Sequence, residues 1–247
     1  MIRVIIGKEL KSMFASPLAW VLMAFLQGIF AFIFMSQLQS FSMIQAQLAN
    51  TNNAPGLTEV AVSPIFSIAA IVLLFSVPLL TMRLIAEERR NQTMIFLISA
   101  PISMTQIILG KFFATVLFLE IVHLIVFLMC LSVLPGGNLD FGLLFSCILG
   151  ISLLGGAFAA IGLYVSCLTN HPVVAAILSL AIALGLWIIN LLAPDPESIL
   201  HSISIFAHWE PFLEGTVAIY DLAYFIIIIS TFLILSIRRL DGDRLHA

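Results

Sequence analysis

The segment Phe141–Leu168 reads FGLLFSCILGISLLGGAFAAIGLYVSCL and carries no charged side chain. A helix needs about 20 apolar residues to cross the hydrocarbon core of a bilayer, and this run is longer than that. The segment therefore predicts a membrane-spanning helix that is tilted or locally broken.

Five further apolar runs are long enough to form spans, and they cover residues 18–41, 63–84, 105–134, 172–192 and 216–237. Pro78 predicts a kink in the second span, and Ser103 with Gln106 predicts a capping box before the third. The 247 residues are 62% hydrophobic and 9% charged, whereas a soluble domain is about half apolar and a quarter charged. We therefore expect an all-α, polytopic membrane protein with six transmembrane helices in a single domain, 1–247.

All ten Lys and Arg residues fall on one side of this map. They are Arg3, Lys8, Lys11, Arg83, Arg89, Arg90, Lys111, Arg238, Arg239 and Arg244. Basic residues near the ends of spans are retained in the cytoplasm during insertion, so both termini are expected to be cytoplasmic. The basic residues are too few and too scattered for a nucleic-acid-binding surface.

Two amphipathic segments accompany the spans. Residues 2–15 place apolar side chains at helical spacing opposite Lys8 and Lys11. They predict an elbow helix in the inner headgroup layer rather than a cleaved signal peptide. Residues 193–215 alternate apolar and polar side chains, and predict a re-entrant segment of one or two short helices in the outer interface.

The inner segment 85–103, between the second and third spans, is charged in its first half and apolar in its second. One interpretation is a solvated loop with a charge cluster. The other is a short helix that presents a shaped surface to a cytoplasmic partner, with Glu87 and Arg90 paired at i,i+3 spacing. Met94, Phe96 and Leu97 are more apolar than a free loop needs.

The third span contains Glu120 in its middle, with His123 one turn further on. An ionisable group at that depth costs about 2.5–3.5 kcal/mol on insertion scales, and it suggests a functional site. Glu120 and His123 could form a proton relay or a substrate contact, or could join packed helices by hydrogen bonds with Glu120 protonated; we favour the second. A metal centre would need a second Glu-x-x-His motif on another helix, and the sequence has none.

The fourth span carries small residues at four-residue spacing, namely Gly155 with Ala159 and Gly156 with Ala160. This spacing lets helices approach closely, within the subunit or across a dimer interface. The three cysteines Cys130, Cys147 and Cys167 are expected to be small apolar fillers.

Enzyme motifs are incomplete in this sequence. Glu87-Glu88 is similar to the paired glutamates of intramembrane CAAX-type proteases, but Gln92 stands where those proteases have an Arg. Gly110-Lys111 is not a phosphate-binding loop, because Phe112 replaces the required Ser or Thr. We therefore expect no catalytic residue, no cofactor and no ATP hydrolysis by this chain alone.

The order of elements resembles the permease subunits of ABC-2 type transporters. The matching features are the elbow, the six spans, the re-entrant segment before the sixth span, and an inner segment with Glu87, Glu88, Arg90, Thr93, Pro101, Ser103 and Gly110-Lys111. Gln92 replaces the Gly usual in that family, and Phe96 replaces a frequent Glu. The stretch from Phe206 to Phe225, with Arg238-Arg239, is similar to the branch of gliding-motility permeases and the permease of nitrous oxide reductase maturation.

The resemblance implies a permease in a bacterial inner membrane that couples ATP hydrolysis by a separate cytoplasmic ATPase dimer to substrate export or conformational work. It implies a second permease copy, identical or related, and is compatible with an extracytoplasmic accessory protein. The residues implied to contact the ATPase are Glu87, Glu88, Arg90, Thr93, Met94, Phe96 and Leu97. The alternatives are a stand-alone carrier or channel, for which a repeated half and more intramembrane charge are expected, and an intramembrane enzyme.

Overall fold

A computed structural model of the chain describes residues 1–48, 56, 58–94, 102–134, 139–192 and 198–246. In those residues the chain is helical and contains no strand. The α-helices are α1 (Ile2–Ala15), α2 (Pro17–Leu48), α3 (Ser63–Thr81), α4 (Ala86–Arg90), α5 (Met104–Leu131), α6 (Phe141–Leu168), α7 (Pro172–Leu192), α8 (Ile199–Ile203), α9 (Glu210–Leu213) and α10 (Ile219–His246). A π-helix, Thr58–Val62, directly precedes α3.

Six helices of the described residues, α2, α3, α5, α6, α7 and α10, are long and apolar enough to cross a membrane. The predicted all-α architecture with six spans is therefore confirmed. The apolar runs and the helices differ most at the last span, where the run covers 216–237 and α10 covers Ile219–His246. The apolar run marks only the part of the helix that lipid can surround. The helix itself continues through charged residues such as Arg239 and Asp243.

Local signals explain several helix starts. Ser103 accepts a hydrogen bond from the backbone N–H of Gln106 at 3.2 Å, as the expected cap requires. The Asp140 carboxylate accepts from the N–H groups of Gly142 and Leu143 and begins α6. Pro172 occupies the first position of α7, where its missing N–H has no helical partner to lose.

Helix α6 forms the centre of the bundle and packs against α3, α5, α7 and α10. Within its apolar stretch 72% of the residues are buried, against 17% in α7 and 22% in α2 and α10. The core is therefore built around α6, while α2, α7 and α10 keep broad apolar faces exposed.

Two glycines let other elements reach the α6 backbone. A Cβ atom on Gly162 would lie 2.1 Å from Oγ1 of Thr81 at the end of α3, and one on Gly150 would lie 2.6 Å from Cβ of Phe212 in α9. Both distances are far inside van der Waals contact. Glycine is therefore what allows α3 and α9 to lie so close to α6.

The small residues predicted to pack, Gly155, Gly156, Ala159 and Ala160, are all buried on α6. A Cβ on Gly155 would lie 3.3 Å from the side chain of Leu119 on α5, and one on Gly156 would lie 3.3 Å from that of Ile229 on α10. These positions therefore face neighbouring helices of the same chain.

The described part of the segment between α7 and α10 packs against the bundle. Trp209 and Phe212 are buried, and the carbonyl of Phe212 accepts a hydrogen bond from the Ser146 hydroxyl at 2.9 Å. Two short helices, α8 and α9, lie in this segment, and the side chain of Phe212 fills space that the missing side chain of Gly150 leaves open.

Candidate functional site

Helix α4 is a short helix whose first turn is capped by another helix. The Ser166 hydroxyl of α6 accepts the backbone N–H groups of Ile85 at 3.1 Å and Ala86 at 3.0 Å, and donates to the carbonyl of Met82 at 3.2 Å. The first N–H groups of a helix have no partner within the helix. Ser166 therefore fixes the start of α4 to the centre of the bundle.

The end of α4 is closed by a left-handed turn. The N–H of Thr93 donates to the carbonyl of Glu88 at 3.0 Å, and the N–H of Gln92 donates to that of Arg89 at 3.1 Å. This pair of bonds is the Schellman motif, which requires positive φ at the residue after the cap. Gln92 has φ of 57°, a conformation that glycine adopts most easily. This explains why glycine is usual at this position in ABC-2 permeases.

The two central residues of α4 point into the protein and form ion pairs with other helices. Lys111 of α5 donates to the carboxylate of Glu88 at 2.8 Å and to that of Glu9 of α1 at 3.1 Å. Only 1% of Lys111 is exposed. Arg89 pairs with Asp243 near the end of α10. We call Glu9, Glu88, Arg89, Lys111 and Asp243 the inner charge cluster; it joins α4 to α1, α5 and α10.

The outer face of α4 carries Glu87 and Arg90, both exposed. The predicted ion pair between them is not formed, and neither residue belongs to an ion pair of the described residues. The inner charge cluster sets the rotation of α4 about its axis, and this rotation leaves Glu87 and Arg90 facing away from the bundle.

The remaining residues predicted for the partner contact divide into three groups. Thr93 is exposed, and its hydroxyl donates to the carbonyl of Glu88 at 3.2 Å. Met94 is buried in this chain. Phe96 and Leu97 lie outside the described residues.

A cleft of about 290 Å³ lies beside α4, with walls from α1, α3, α5 and the start of α2. Its lining includes Ser12, Arg83, Glu87, Glu88 and Thr93. Apolar side chains such as Leu80 and Leu84 also line the cleft, so the surface around α4 is concave and of mixed polarity, as suits contact with another protein.

The predicted intramembrane pair lies on α5, where Glu120 and His123 are 3.7 Å apart. A Cβ on Gly155 of α6 would lie 3.9 Å from the His123 ring, which places the imidazole against α6. A cavity of about 320 Å³ opens beside the pair. In the parts of the chain that the structure describes, no group of three or more His, Cys, Asp or Glu side chains is placed to hold a metal ion.

Sequence reasoning missed the partners that orient α4. Lys111 and Glu9 carried a signal, because each is a charge next to an apolar stretch, and such groups need partners when buried. Asp243 was visible only as part of a charged terminus, and Ser166 looked like any other serine of a span. Their pairing depends on how distant helices meet, which spacing along the chain does not report.

The architecture defines a polytopic helical membrane protein with a short charged helix held at one face of the bundle. The sequence model described as ABC-2 family transporter protein matches residues 3–239, so the chain belongs to that family. It is a membrane-embedded permease of the ABC transporter class, and such subunits are generally non-catalytic. No curated protein matches this chain.

Proposed function

We propose that this chain couples ATP hydrolysis by a separate cytoplasmic ATPase dimer to substrate export or conformational work across a bacterial inner membrane, with both termini in the cytoplasm. The observation that carries the proposal is the inner charge cluster. It supplies what a coupling element needs, namely a short helix with one face exposed for a partner and the other face bonded to several spans.

The inward face of α4 supports transmission to the spans. Lys111 links it to α1 and α5, Asp243 links it to α10, and Ser166 links it to α6. Packed helices joined by buried charge pairs move together, since separating a buried pair strands a charge. A displacement of α4 would therefore reach the spans as a movement of whole helices.

The outward face supports docking. Glu87 and Arg90 are exposed on α4, Thr93 follows in the Schellman turn, and the cleft lies alongside. We propose that these three residues contact the ATPase, with Phe96 and Leu97 continuing the contact. ATP would be bound by that partner, and this chain would hold no cofactor.

A second permease copy would complete the transporter. In the family pattern the substrate passes between two permeases. Its pathway is lined by the first, second and fifth spans, which are α2, α3 and α7 here. The broad exposed apolar faces of α2 and α7 favour that arrangement. The aromatic stretch around Trp209 and Phe212 and the terminal Arg238-Arg239 further favour the gliding-motility and nitrous-oxide-reductase-maturation branch.

The test is co-purification of the tagged full-length chain from its native membrane, followed by an ATPase assay. We expect an ATP-hydrolysing subunit to co-purify, and Arg90→Glu to lower the recovered activity by about fivefold or more, because reversing an interface charge brings like charges together. Arg3→Glu is the matched control, since Arg3 is also an exposed basic residue but does not line the cleft beside α4.

Recovery of the folded chain with no ATP-hydrolysing subunit would overturn the proposal. Equal activity in the Arg90→Glu and wild-type preparations would remove α4 from the contact. A similar loss in the Arg3→Glu control would mean that overall charge, rather than the α4 surface, determines association.

A further inference from the structure

A groove between α5 and α6 combines an ionisable pair with apolar walls. The cavity of about 320 Å³ is lined by Glu120, His123, Leu124 and Phe127 of α5 and by Phe145 and Ile148 of α6. Phe127 and Phe145 face each other across it with ring centroids 6.1 Å apart. The groove therefore has a polar point at one end and an aromatic surface at the other.

The polar pair is incomplete within this chain. His123 is 4% exposed, and neither of its ring nitrogens has a hydrogen-bond partner among the described residues. The Glu120 oxygen at 3.7 Å is beyond hydrogen-bond distance, while the Glu120 side chain is 37% exposed. Buried polar groups are almost always hydrogen-bonded in folded proteins, so the site is short of partners, and its accessible member is the carboxylate of Glu120, which is open to a group from outside the chain.

Depth in the membrane limits what that group can be. Glu120 lies nine residues after Lys111 and eleven before the end of α5 at Leu131, which is about 14 Å and 16 Å along the helix axis at 1.5 Å per residue. Hydrocarbon tails offer no hydrogen bond at this depth, and lipid headgroups stay at the surface. Ionisable residues in membrane helices almost always face a bundle interior or a water-filled cavity, so we expect this wall to be covered.

We propose that the groove binds a membrane-spanning helix of another protein, and that this helix presents a Lys or Arg side chain to Glu120 at mid-depth. A helix can carry a polar side chain at any depth, and the apolar walls suit its other side chains. The exposed aromatic ring of Phe145 and the exposed Leu124 would pack against it.

A second copy of this chain lacks the required side chain. All of its Lys and Arg residues lie near the ends of the apolar runs, and Lys111 is already paired with Glu9 and Glu88. A two-fold contact at the groove would place Glu120 against its own copy, which brings two acids together. Glu120 therefore favours a different protein, one that carries a basic side chain. This inference does not depend on ATPase coupling through α4.

The test is photo-cross-linking in native membranes with the full-length chain. A benzophenone amino acid replaces Phe145 in the groove, or Ile227 on α10 as a control of equal exposure. Phe145 faces Phe127, which lies seven residues after Glu120, about 10 Å along the helix axis. We therefore expect the groove position to give an adduct with another membrane protein, mapped to a spanning segment that has Lys or Arg within about two turns. Glu120→Leu should lower the adduct yield by about tenfold, and Glu120→Asp, which keeps the acid, by less than about threefold.

Leu124→Trp gives an independent check if Glu120→Leu fails to accumulate, because Leu124 is exposed and a larger side chain there fills the groove without entering the core. It should lower the groove adduct to a similar degree and leave the Ile227 adducts unchanged. An adduct between two copies of this chain, an adduct indifferent to both substitutions, or no protein adduct above the Ile227 control would overturn the proposal.

Discussion

Lys111→Met removes the ammonium group between Glu9 and Glu88 while keeping an apolar side chain of similar length. The ammonium lies 3.1 Å and 2.8 Å from the two carboxylates, and its removal leaves Glu88 without its cation and Glu9 with only the exposed Lys8. Removing one partner of a buried ion pair costs about 3–5 kcal/mol. Because the Glu9 and Glu88 side chains keep 11% and 16% exposure and can regain some hydration, we expect the lower end, about 3 kcal/mol.

On the scale of about 2–4 °C per kcal/mol for a chain of this size, that loss lowers the thermal midpoint by roughly 6–12 °C. The midpoint is measured in detergent as the temperature at which half of the monodisperse protein is lost on size-exclusion chromatography. Lys8→Met is the matched control, because Lys8 also contacts Glu9, at 3.4 Å, but is 65% exposed. An exposed pair contributes about 0–1 kcal/mol.

A third variant separates stranded charge from lost packing. Lys111→Met combined with Glu9→Gln and Glu88→Gln leaves no unpaired carboxylate in the cluster, so most of the lost stability should return. If Lys111→Met and Lys8→Met lower the midpoint equally, or if the triple variant is less stable than Lys111→Met, the assignment of the cluster as a buried stabilising unit is wrong.

Two further substitutions probe the backbone with the same thermal assay. Gln92→Gly should raise the midpoint by a few degrees, because glycine adopts positive φ without the strain of about 1 kcal/mol that a side chain adds. Gln92→Val should lower the midpoint. A lower midpoint for Gln92→Gly would contradict the turn described after α4. Gly162→Ala should lower the free energy of unfolding by about 1–3 kcal/mol, since the alanine Cβ would lie 2.1 Å from Thr81 Oγ1. Gly185→Ala is the control, because a Cβ there would have no atom within 4 Å, and it should leave the midpoint unchanged or slightly higher. Equal effects at the two glycines would refute the close approach of α3 to α6.

The spans could be predicted because lipid imposes a simple rule on them. A run such as Phe141–Leu168 must be apolar throughout, and its helix has the bounds of the run. The cap at Ser103 was predictable for a similar reason, because its hydrogen bond joins residues three apart. A feature that depends only on residues close together in the sequence can therefore be predicted from the sequence.

Contacts between distant segments could not be predicted. The expected pairing of Glu87 with Arg90 followed helical spacing, but Glu88 and Arg89 instead pair with Lys111 and Asp243. The packing of Phe212 on Gly150 is another contact between distant segments, and the alternation of apolar and polar residues before α10 does not reveal it. The departure at Gln92 was visible in the sequence, but its cause, a positive φ, appears only in the structure.

The two glycine contacts on α6 have a consequence for how the bundle can deform. Thr81 packs against Gly162 near one end of α6, and Phe212 packs against Gly150 towards the other end. Helices α3, α6 and α9 therefore form one closely packed unit. Ser166 fastens α4 near the same end as Gly162, so we expect a displacement of α4 to be carried along α6 towards α9. The apolar stretches of α2 and α7 are only 22% and 17% buried, so we expect bending of the bundle to occur mainly in these two helices.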